Sequence, residues 1–363
     1  MNREITKESK EAKKSKVMIN VENGKVLNPD NAKQDMRAIE VMQFNEERVD
    51  LGEVVPLTEP LVIYVEPSSF CNLECTFCPQ HISPGEIHKK NMSLETFKKM
   101  IDDIKAFPKK PKLMRFCGLG DSLFNKNFLE MAQYANEAKV VEKIELITNG
   151  LLFNDSLISH LPFVLDRIII SVEGLSNDDY MEFAKKKIDF KEFVSKVEKL
   201  GNVNGKCMLH VKIHNAAIGT EERKSFFYQT FGPICDQIFI ENLVDLWPQV
   251  TSNLGVESGH RFDGGPLNKV KVCPQIFKSM QVNSDGRVIP CCIDWRGVNI
   301  IGDINNEKLS DVWNGSTLKK LRNVHLNGKR FEIDPCKGCT MNEYTEKDNL
   351  DSVADFLYDK INQ

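Results

Sequence analysis

The sequence predicts an α/β protein whose parallel sheet forms an open or partial barrel. Between residues 60 and 241, six short runs rich in β-branched residues alternate with amphipathic helical stretches. Parallel neighbours need a long return connection, and the helical stretches supply it. The chain has 363 residues, which is enough for one large α/β domain with an appendage or for two domains.

The change of hydrophobic period along this stretch places each strand and helix. Functional residues of parallel sheets gather where the strands end, so we expect chemistry in the loops after the strands. The predicted strands are 61–65, 113–116, 143–148, 167–172, 208–213 and 237–241, and the predicted helices lie near 93–105, 127–139, 155–160, 190–200 and 221–231.

Other segments flank this barrel. Residues 1–59 form an N-terminal extension that is expected to be partly disordered, and residues 242–272 form a linker. Residues 273–345 are predicted to be a second unit, with a hairpin around the Asp-Gly turn at 283–286 and a helix near 309–324. Residues 346–363 are predicted to form a last helix.

Composition excludes several classes of partner. Lys plus Arg number 48 against 52 Asp plus Glu, a net charge of −4 that does not favour nucleic-acid binding. No stretch approaches the roughly 20 apolar residues that span a bilayer, so we expect a cytoplasmic protein without a membrane partner. The 11 cysteines, an odd number in tight groups, favour metal ligation over disulfides.

The first group of cysteines follows the first barrel strand. Cys71, Cys75 and Cys78 are spaced by four and three residues, so their thiolates can meet one face of an iron–sulfur cube and leave its fourth iron open. The alternatives are a zinc site with a distant fourth ligand, or buried structural cysteines.

This group resembles the Cys-x3-Cys-x2-Cys signature of the radical S-adenosylmethionine (radical SAM) superfamily, and Phe77 matches the aromatic residue usual before the third cysteine. The resemblance implies a partial (β/α)6 barrel over residues 60–241 and a 4Fe-4S cluster on the three cysteines. It also implies that the open iron binds S-adenosylmethionine, whose reductive cleavage yields a 5′-deoxyadenosyl radical that abstracts hydrogen from a substrate. An external electron donor such as flavodoxin or ferredoxin is implied as well.

The loop after the second strand is similar to the family's Gly-Gly-Glu-Pro segment. Gly118 and Gly120 are expected to let the backbone approach the cofactor, and Asp121, where Glu is usual, to accept from its ammonium group. Ser122 replaces the usual Pro. The alternative is a Gly-Asp turn that binds no ligand.

Polar residues at later strand ends are further cofactor-binding candidates. Ser171 and Glu173 alternate onto one side of their strand, where they can meet the ribose or the methionine carboxylate. Thr148 and Asn215 lie at or just after the ends of neighbouring strands. Ordinary turn chemistry is the alternative for all four.

The second group of cysteines lies near the carboxyl end of the chain. Cys273, Cys291, Cys336 and Cys339 can close a metal site completely, and the spacing suits a four-iron cluster and a zinc ribbon equally well. Cys292 can replace its neighbour Cys291 as the ligand.

This segment resembles the SPASM/twitch appendages of radical SAM enzymes, in the run 285–292 and in the Pro-Cys-Lys-Gly-Cys of 335–339. The absence of cysteine after Cys339 implies the shorter twitch form, with one auxiliary 4Fe-4S cluster that carries electrons. The remaining Cys117, Cys207 and Cys235 are expected to be buried small hydrophobes.

By analogy with twitch-bearing dehydrogenases, we expect a radical SAM oxidoreductase that oxidises or epimerises a polar small molecule, such as a sugar or aminocyclitol. One alternative is a maturase that modifies a ribosomally made peptide. An alternative of another class is a non-radical iron–sulfur or zinc-binding electron-transfer protein.

Overall fold

The computed structural model describes residues 38–40, 49–247, 259–345 and 347–363. Most of the N-terminal extension, which was expected to be partly disordered, and part of the linker lie outside the described residues. Within the described residues, ten strands form a single sheet in the order β1-β7-β6-β5-β4-β3-β2-β8-β9-β10. The strands are β1 (Ile39–Glu40), β2 (Val62–Val65), β3 (Leu113–Phe116), β4 (Lys143–Thr148), β5 (Arg167–Val172), β6 (Met208–His214), β7 (Gln237–Glu241), β8 (Ser279–Val282), β9 (Arg287–Ile289) and β10 (Gly302–Asp303).

Strands β2 to β7 are the six predicted strands, and each pairs in parallel with its neighbour in the chain. The described strand order has two ends, so the sheet stays open as a partial barrel and the predicted fold class is confirmed. β2 begins at Val62 and β6 continues to His214, each one residue from its predicted bound. The two-residue β1, which was not predicted, adds a parallel partner to β7.

The helices that return the chain between these strands pack on one face of the sheet. Helix α6 was not predicted; Ser176 caps it by accepting from the amide of Asp179. Helix α5 runs through Pro162, beyond its predicted end. The helices are α1 (Leu51–Val54), α2 (Pro79–Ile82), α3 (Leu94–Ile104), α4 (Phe128–Ala138), α5 (Asp155–Val164), α6 (Asn177–Ala184), α7 (Phe190–Gly201), α8 (Glu221–Phe231), α9 (Gln275–Lys278), α10 (Leu309–Asn314), α11 (Ser316–Leu326), α12 (Met341–Thr345) and α13 (Ala354–Asn362).

The two faces of the barrel sheet differ in chemistry. Side chains that point outwards are apolar and join the core with the helices; Ile63, Met114 and Ile170, for example, are fully buried. Burial alternates along β2 and β3, where Tyr64 and Arg115 point to the opposite, concave face and are only partly buried. The concave face, called the inner face below, is therefore polar and partly accessible.

The second unit extends the same sheet. β8 pairs in parallel with β2 and in antiparallel with β9, so the predicted hairpin is confirmed. Gly286 has a φ of 91° in its turn, a conformation that favours glycine. The single predicted helix near 309–324 is wrong: Gly315 adopts an extended conformation and separates α10 from α11. The last helix, α13, is shorter than its predicted range.

The second unit also contacts the far side of the barrel. Thr340 Oγ1 donates to the carbonyl of Asp245, which follows β7, at 2.6 Å. The amide of Phe262 donates to the carbonyl of Tyr344 at 3.2 Å. The unit thus joins β2 on one side and the segment after β7 on the other. In the described parts of the chain, no helix is both long and apolar enough to cross a membrane.

Candidate active site

The first cysteine group lies in the loop after β2, as predicted from the sequence. Cys78 caps α2, and its amide donates to the carbonyl of Cys75 at 2.9 Å. Cys71 Sγ accepts from the amide of Leu73 at 3.5 Å and lies 3.8 Å from Asn149 Nδ2. Each thiol is close enough to act electrostatically on the others. The tight loop therefore presents three thiols to one site.

The chemistry of these thiols fits a metal cluster. Burial raises the pKa of Cys71 to about 11 and that of Cys78 to about 12, so the thiolates need a positive charge such as iron. Among the described residues, no three His, Cys, Asp or Glu side chains are close enough to hold a single metal ion. A zinc ion draws its ligands to about 2.3 Å from one centre, whereas a cube spreads them over separate irons. A donor set made of three thiols fits the separate irons of such a cube.

The two glycines after β3 allow another segment of the chain to approach closely. A Cβ on Gly118 would lie 2.5 Å from Glu66 Cγ, and one on Gly120 would lie 2.2 Å from the carbonyl oxygen of Ser68. Both glycines therefore let this loop approach the segment that leads to Cys71. Their predicted approach to the cofactor stays a prediction.

Asp121 and Thr148 meet at the carboxyl ends of β3 and β4. Asp121 Oδ2 accepts from Thr148 Oγ1 at 2.8 Å and from the amide of Asn149 at 2.9 Å. Its Oδ1 accepts from the amide of Leu123 at 2.9 Å. The carboxylate therefore positions the loop that carries Asn149, and Asn149 contacts Cys71. Its predicted bond to the cofactor ammonium stays a prediction.

Glu173 lies next to His214, a residue that sequence reasoning missed. Burial raises the pKa of Glu173 to about 7, while burial lowers that of His214 to about 4. His214 Nδ1 accepts from the amide of Ala217 at 3.2 Å, which leaves the proton on Nε2, 3.7 Å from Glu173 Oε2. The His214 ring also packs against Phe77, with centroids 5.3 Å apart. The cysteine loop is thereby packed against β6.

The remaining two candidates lie in different surroundings. Ser171 is on the inner face, half-buried, two residues before Glu173. Asn215 instead bonds to the segment after β7: its Oδ1 accepts from the amide of Leu243 at 2.9 Å. The structure therefore groups Asp121 with Thr148 and leaves Asn215 tied to a neighbouring strand end.

The second cysteine group converges on one cavity, lined by Cys273, Cys291, Cys336 and Cys339. Cys291 lies in this lining and Cys292 does not, which favours Cys291 as the ligand. Burial raises the pKa of both Cys336 and Cys339 to about 12, so this site also needs a metal to hold thiolates.

Arg330, which sequence reasoning also missed, is fully buried beside this cavity. Its Nη1 donates to the carbonyl of Cys336 at 3.3 Å, and its charge lowers the pKa values of Cys336 and Cys339 against the effect of burial. Arg330 directly follows Lys329 in a polar stretch, so no signal in the sequence distinguished it.

Glu66 joins the segments that carry the two cysteine groups. Its Oε1 accepts from the amide of Leu119 at 3.0 Å. Its Oε2 accepts from the amide of Ser284 at 3.3 Å and from Ser284 Oγ at 3.1 Å. The Oγ atoms of Ser69 and Ser284 are 3.1 Å apart. The end of β2, the loop after β3 and the β8–β9 hairpin therefore meet at one buried carboxyl.

Of the cysteines outside both groups, Cys235 is buried as expected, whereas Cys117 and Cys207 are half-buried. For these two the expectation was wrong. Cys117 follows β3 on the inner face, because it alternates with Arg115 along the strand.

Family models match both regions. The model described as "Radical SAM superfamily" matches residues 65–216, and the SPASM model, an "iron-sulfur cluster-binding domain", matches residues 273–340. The GTP 3′,8-cyclase of Clostridium perfringens is 23% identical over 223 residues, 60% of this chain and 62% of that protein. The S-adenosyl-L-methionine-dependent 2-deoxy-scyllo-inosamine dehydrogenase of Niallia circulans is 26% identical over 97 residues, 25% of this chain and 39% of that protein. The chain thus spans less than two thirds of the length of these curated relatives.

Solved structures share the fold. BtrN in complex with AdoMet and 2-DOIA aligns with a TM-score of 0.51 and 18% identity, over 79% of this chain and 97% of BtrN. Streptococcus suis SuiB bound to S-adenosylmethionine aligns with a TM-score of 0.58 and 15% identity, over 84% of this chain and 76% of SuiB. Together with the two family models and the two cysteine groups, these matches confirm the family resemblance. The chain is a member of the radical SAM superfamily that carries a C-terminal SPASM iron–sulfur domain and uses 4Fe-4S clusters with S-adenosylmethionine.

Proposed function

We propose that this enzyme is an oxidoreductase that oxidises a carbon of a polar small molecule, such as a sugar or aminocyclitol. The observation that carries the proposal is the convergence of Cys273, Cys291, Cys336 and Cys339 on one cavity. Four thiolates saturate a four-iron cluster, so that cluster has no open iron for substrate and is suited to accept an electron.

The proposal divides the oxidation between the cofactors and the chain. When bound, the S-adenosylmethionine at the first cluster supplies the radical that takes a hydrogen atom, and the second cluster takes an electron. Oxidation of an alcohol to a ketone also releases a proton from the hydroxyl group. Glu173, with its pKa near 7, exchanges a proton at neutral pH and suits that step.

The chain's own residues hold the cofactors in this proposal. Cys71, Cys75 and Cys78 bind the first cluster and leave one iron open. The strand ends around it surround S-adenosylmethionine, and an external donor such as flavodoxin or ferredoxin delivers the electron. The proposed cofactor-binding residues are Gly118, Gly120, Asp121, Thr148, Ser171, Glu173 and Asn215.

Two comparisons support a small-molecule substrate. The N. circulans relative is named as a dehydrogenase, and BtrN was crystallised with AdoMet and 2-DOIA. The polar inner face of the barrel also suits a polar ligand. Peptide modification is the competing outcome, because SuiB bound to the precursor peptide SuiA shares the fold with a TM-score of 0.51.

The test compares two cysteine variants in anaerobically reconstituted protein. We expect about eight iron per chain in the wild type, the sum for two cubes. The variant that lacks Cys336 and Cys339 should lose product from a panel of aminocyclitols, sugars and peptides, yet still form 5′-deoxyadenosine. The variant that lacks Cys71, Cys75 and Cys78 should form neither. Cys207→Ala, at a half-buried cysteine outside both groups, is the matched control.

Circular dichroism must first show that the Cys336 and Cys339 variant is folded, because metal binding contributes to the stability of small domains. If the folded variant makes product at the wild-type rate, the second cluster is not the electron acceptor. Product formed only from peptides would replace the small-molecule proposal with maturation.

Epimerisation is a second candidate, and the position of Cys117 on the inner face favours it. A redox-neutral reaction needs a hydrogen-atom donor, and this thiol is half-buried on the side where substrate would lie. In heavy water, an epimerase should place one deuterium on the product carbon, and Cys117→Ala should abolish turnover. A ketone product without that deuterium selects oxidation.

A further inference from the structure

Two buried polar side chains, His325 and Arg330, line the second cavity together with its four cysteines. His325 lies at the end of α11, and the two side chains are 0% and 1% exposed. Within the described residues, both ring nitrogens of His325 and Nε of Arg330 have no hydrogen-bond partner. Leaving a buried donor without an acceptor is costly, so we expect an acceptor in the cavity beside them.

The other contacts of Arg330 are to carbonyl groups and to an aromatic ring. Its Nη1 donates to the carbonyl of Cys336 at 3.3 Å, and its Nη2 donates to the carbonyl of Val270 at 3.4 Å. The guanidinium carbon lies 4.0 Å from the centroid of the Phe331 ring. In the part of the chain that the structure describes, no carboxylate forms an ion pair with Arg330.

Asp294 is the acidic residue in the lining of this cavity, and it is bound elsewhere. Its Oδ1 accepts from the amide of Val298 at 2.9 Å, and its Oδ2 accepts from the amide of Asn299 at 2.7 Å. Both oxygens are therefore held by the backbone of their own loop. The guanidinium of Arg330 keeps its positive charge at the cavity without a paired carboxylate.

His325 supplies a donor without a charge. Burial lowers its pKa to about 3, and the positive charge of Arg330 adds to the shift. A neutral histidine ring carries one N–H group. Together with the Nε–H of Arg330, it provides two donors beside four cysteines, and the sulfur atoms of an iron–sulfur cluster accept such hydrogen bonds.

We propose that Arg330 and His325 donate hydrogen bonds to sulfur atoms of the second cluster and raise its reduction potential. The inference rests on the proposed function for the four cysteine ligands and for the electron-accepting role. A cluster that accepts an electron gains one negative charge. An N–H donor and a buried positive charge therefore stabilise the reduced form more than the oxidised form, and they favour electron transfer from a substrate radical.

The first test is a redox titration of the second cluster in the reconstituted full chain, followed by electron paramagnetic resonance. A parallel titration of the variant that lacks Cys71, Cys75 and Cys78 identifies the signal of the second cluster. Arg330→Met and His325→Phe should each disfavour the reduced form about tenfold, a fall of about 59 mV for one electron. Arg330→Lys keeps the charge and His325→Asn keeps an N–H donor, so each should lie between the wild type and the variant that removes the donor.

Lys329→Met is the matched control. Lys329 carries the same charge as Arg330 and directly precedes it, but its side chain is exposed to water. Solvent and salt screen an exposed charge, so this variant should shift the redox equilibrium less than about threefold. Iron analysis of every variant separates a changed potential from loss of the cluster.

A second measurement needs no substitution at Arg330 or His325, and it decides the question if either variant fails to bind the cluster. The variant that lacks Cys71, Cys75 and Cys78 is prepared with nitrogen-15 in its arginines or in its histidines. Pulsed electron paramagnetic resonance of the reduced second cluster should show a nitrogen-15 coupling from each label, because the unpaired spin spreads through an N–H···S contact.

The proposal is overturned if the redox equilibrium of either loaded variant stays within about threefold of the wild type, if Lys329→Met shifts it as far, or if either label gives no coupling. None of these results touches the proposed oxidation, whose readout is product formation in the Cys336 and Cys339 variant. Conversely, a lowered potential in an enzyme that forms no oxidised product would leave the two hydrogen bonds standing.

Discussion

Replacing Glu66 should loosen the junction between the barrel and the SPASM domain. Glu66 accepts from the amides of Leu119 and Ser284, at 3.0 and 3.3 Å. In Glu66→Ala the amides of Leu119 and Ser284 both lose their acceptor, and each unsatisfied donor costs about 1–3 kcal/mol. The sum of about 2–6 kcal/mol corresponds to a roughly 30-fold to 10⁴-fold larger population of molecules in which this junction is open and the two amides are exposed to water.

Hydrogen exchange of the reconstituted holoenzyme measures this opening at the two amides themselves. Exchange at Leu119 and Ser284 should accelerate by the factor given above, while exchange at Leu146 in the core of β4 should change little. Glu66→Gln keeps the volume and one carbonyl oxygen, so it should lie between Glu66→Ala and the wild type.

Glu130→Ala is the control for loss of a carboxylate as such. Glu130 is an exposed partner of Lys98 at 2.9 Å, and such pairs contribute about 0–1 kcal/mol. If exchange at Leu119 and Ser284 in Glu66→Ala stays within threefold of the wild type, the carboxyl does not hold the junction and our reasoning is refuted.

Two further predictions concern single side chains. Iron analysis should show that Cys291→Ser loses about half of the iron and that Cys292→Ser keeps it, because Cys291 lines the second cavity and Cys292 does not. The reverse result would identify Cys292 as the ligand. The pKa of His214 is lowered to about 4, so the unfolded chain binds more protons than the folded chain between about pH 6.5 and 4. The free energy of unfolding that is present above pH 6.5 is therefore lost as the pH falls. This residue accounts for a loss of about 3 kcal/mol at most. The melting temperature, measured between pH 7 and 5, should fall less steeply with pH in His214→Gln than in the wild type. Equal slopes would contradict the lowered pKa of His214.

Local patterns were enough to predict the barrel strands. Each strand is a short β-branched run whose period differs from that of the flanking helices, and this information is contained within a few neighbouring residues. The prediction of one helix near 309–324 was wrong because it also rested on a local pattern. Its helical period continues across Gly315, and only the extended backbone there divides it.

Residues that act through distant partners were not predictable. Glu66 meets Ser284, which is 218 positions away in the chain. His214 was missed because its role depends on the approach of Phe77 from the cysteine loop and of Glu173 from β5. No periodicity in the sequence records such pairings, because they depend on how the strands align in the sheet.

The sequence by itself determined the class of chemistry, because the spacing within Cys71 to Cys78 is a local property and three thiols in one short loop must lie close together. It also determined the alternation of strands and helices. The tertiary structure decided what the loop contacts and which side chains share the inner face. Glu145 meets both Arg115 and Arg167 only because the parallel register aligns β3, β4 and β5. The lining of the second cavity, which includes Cys291 and not Cys292, likewise depends on the tertiary packing and favours Cys291 as the proposed ligand. Register and packing arise from the whole sheet, so they could not be predicted from any single stretch of residues.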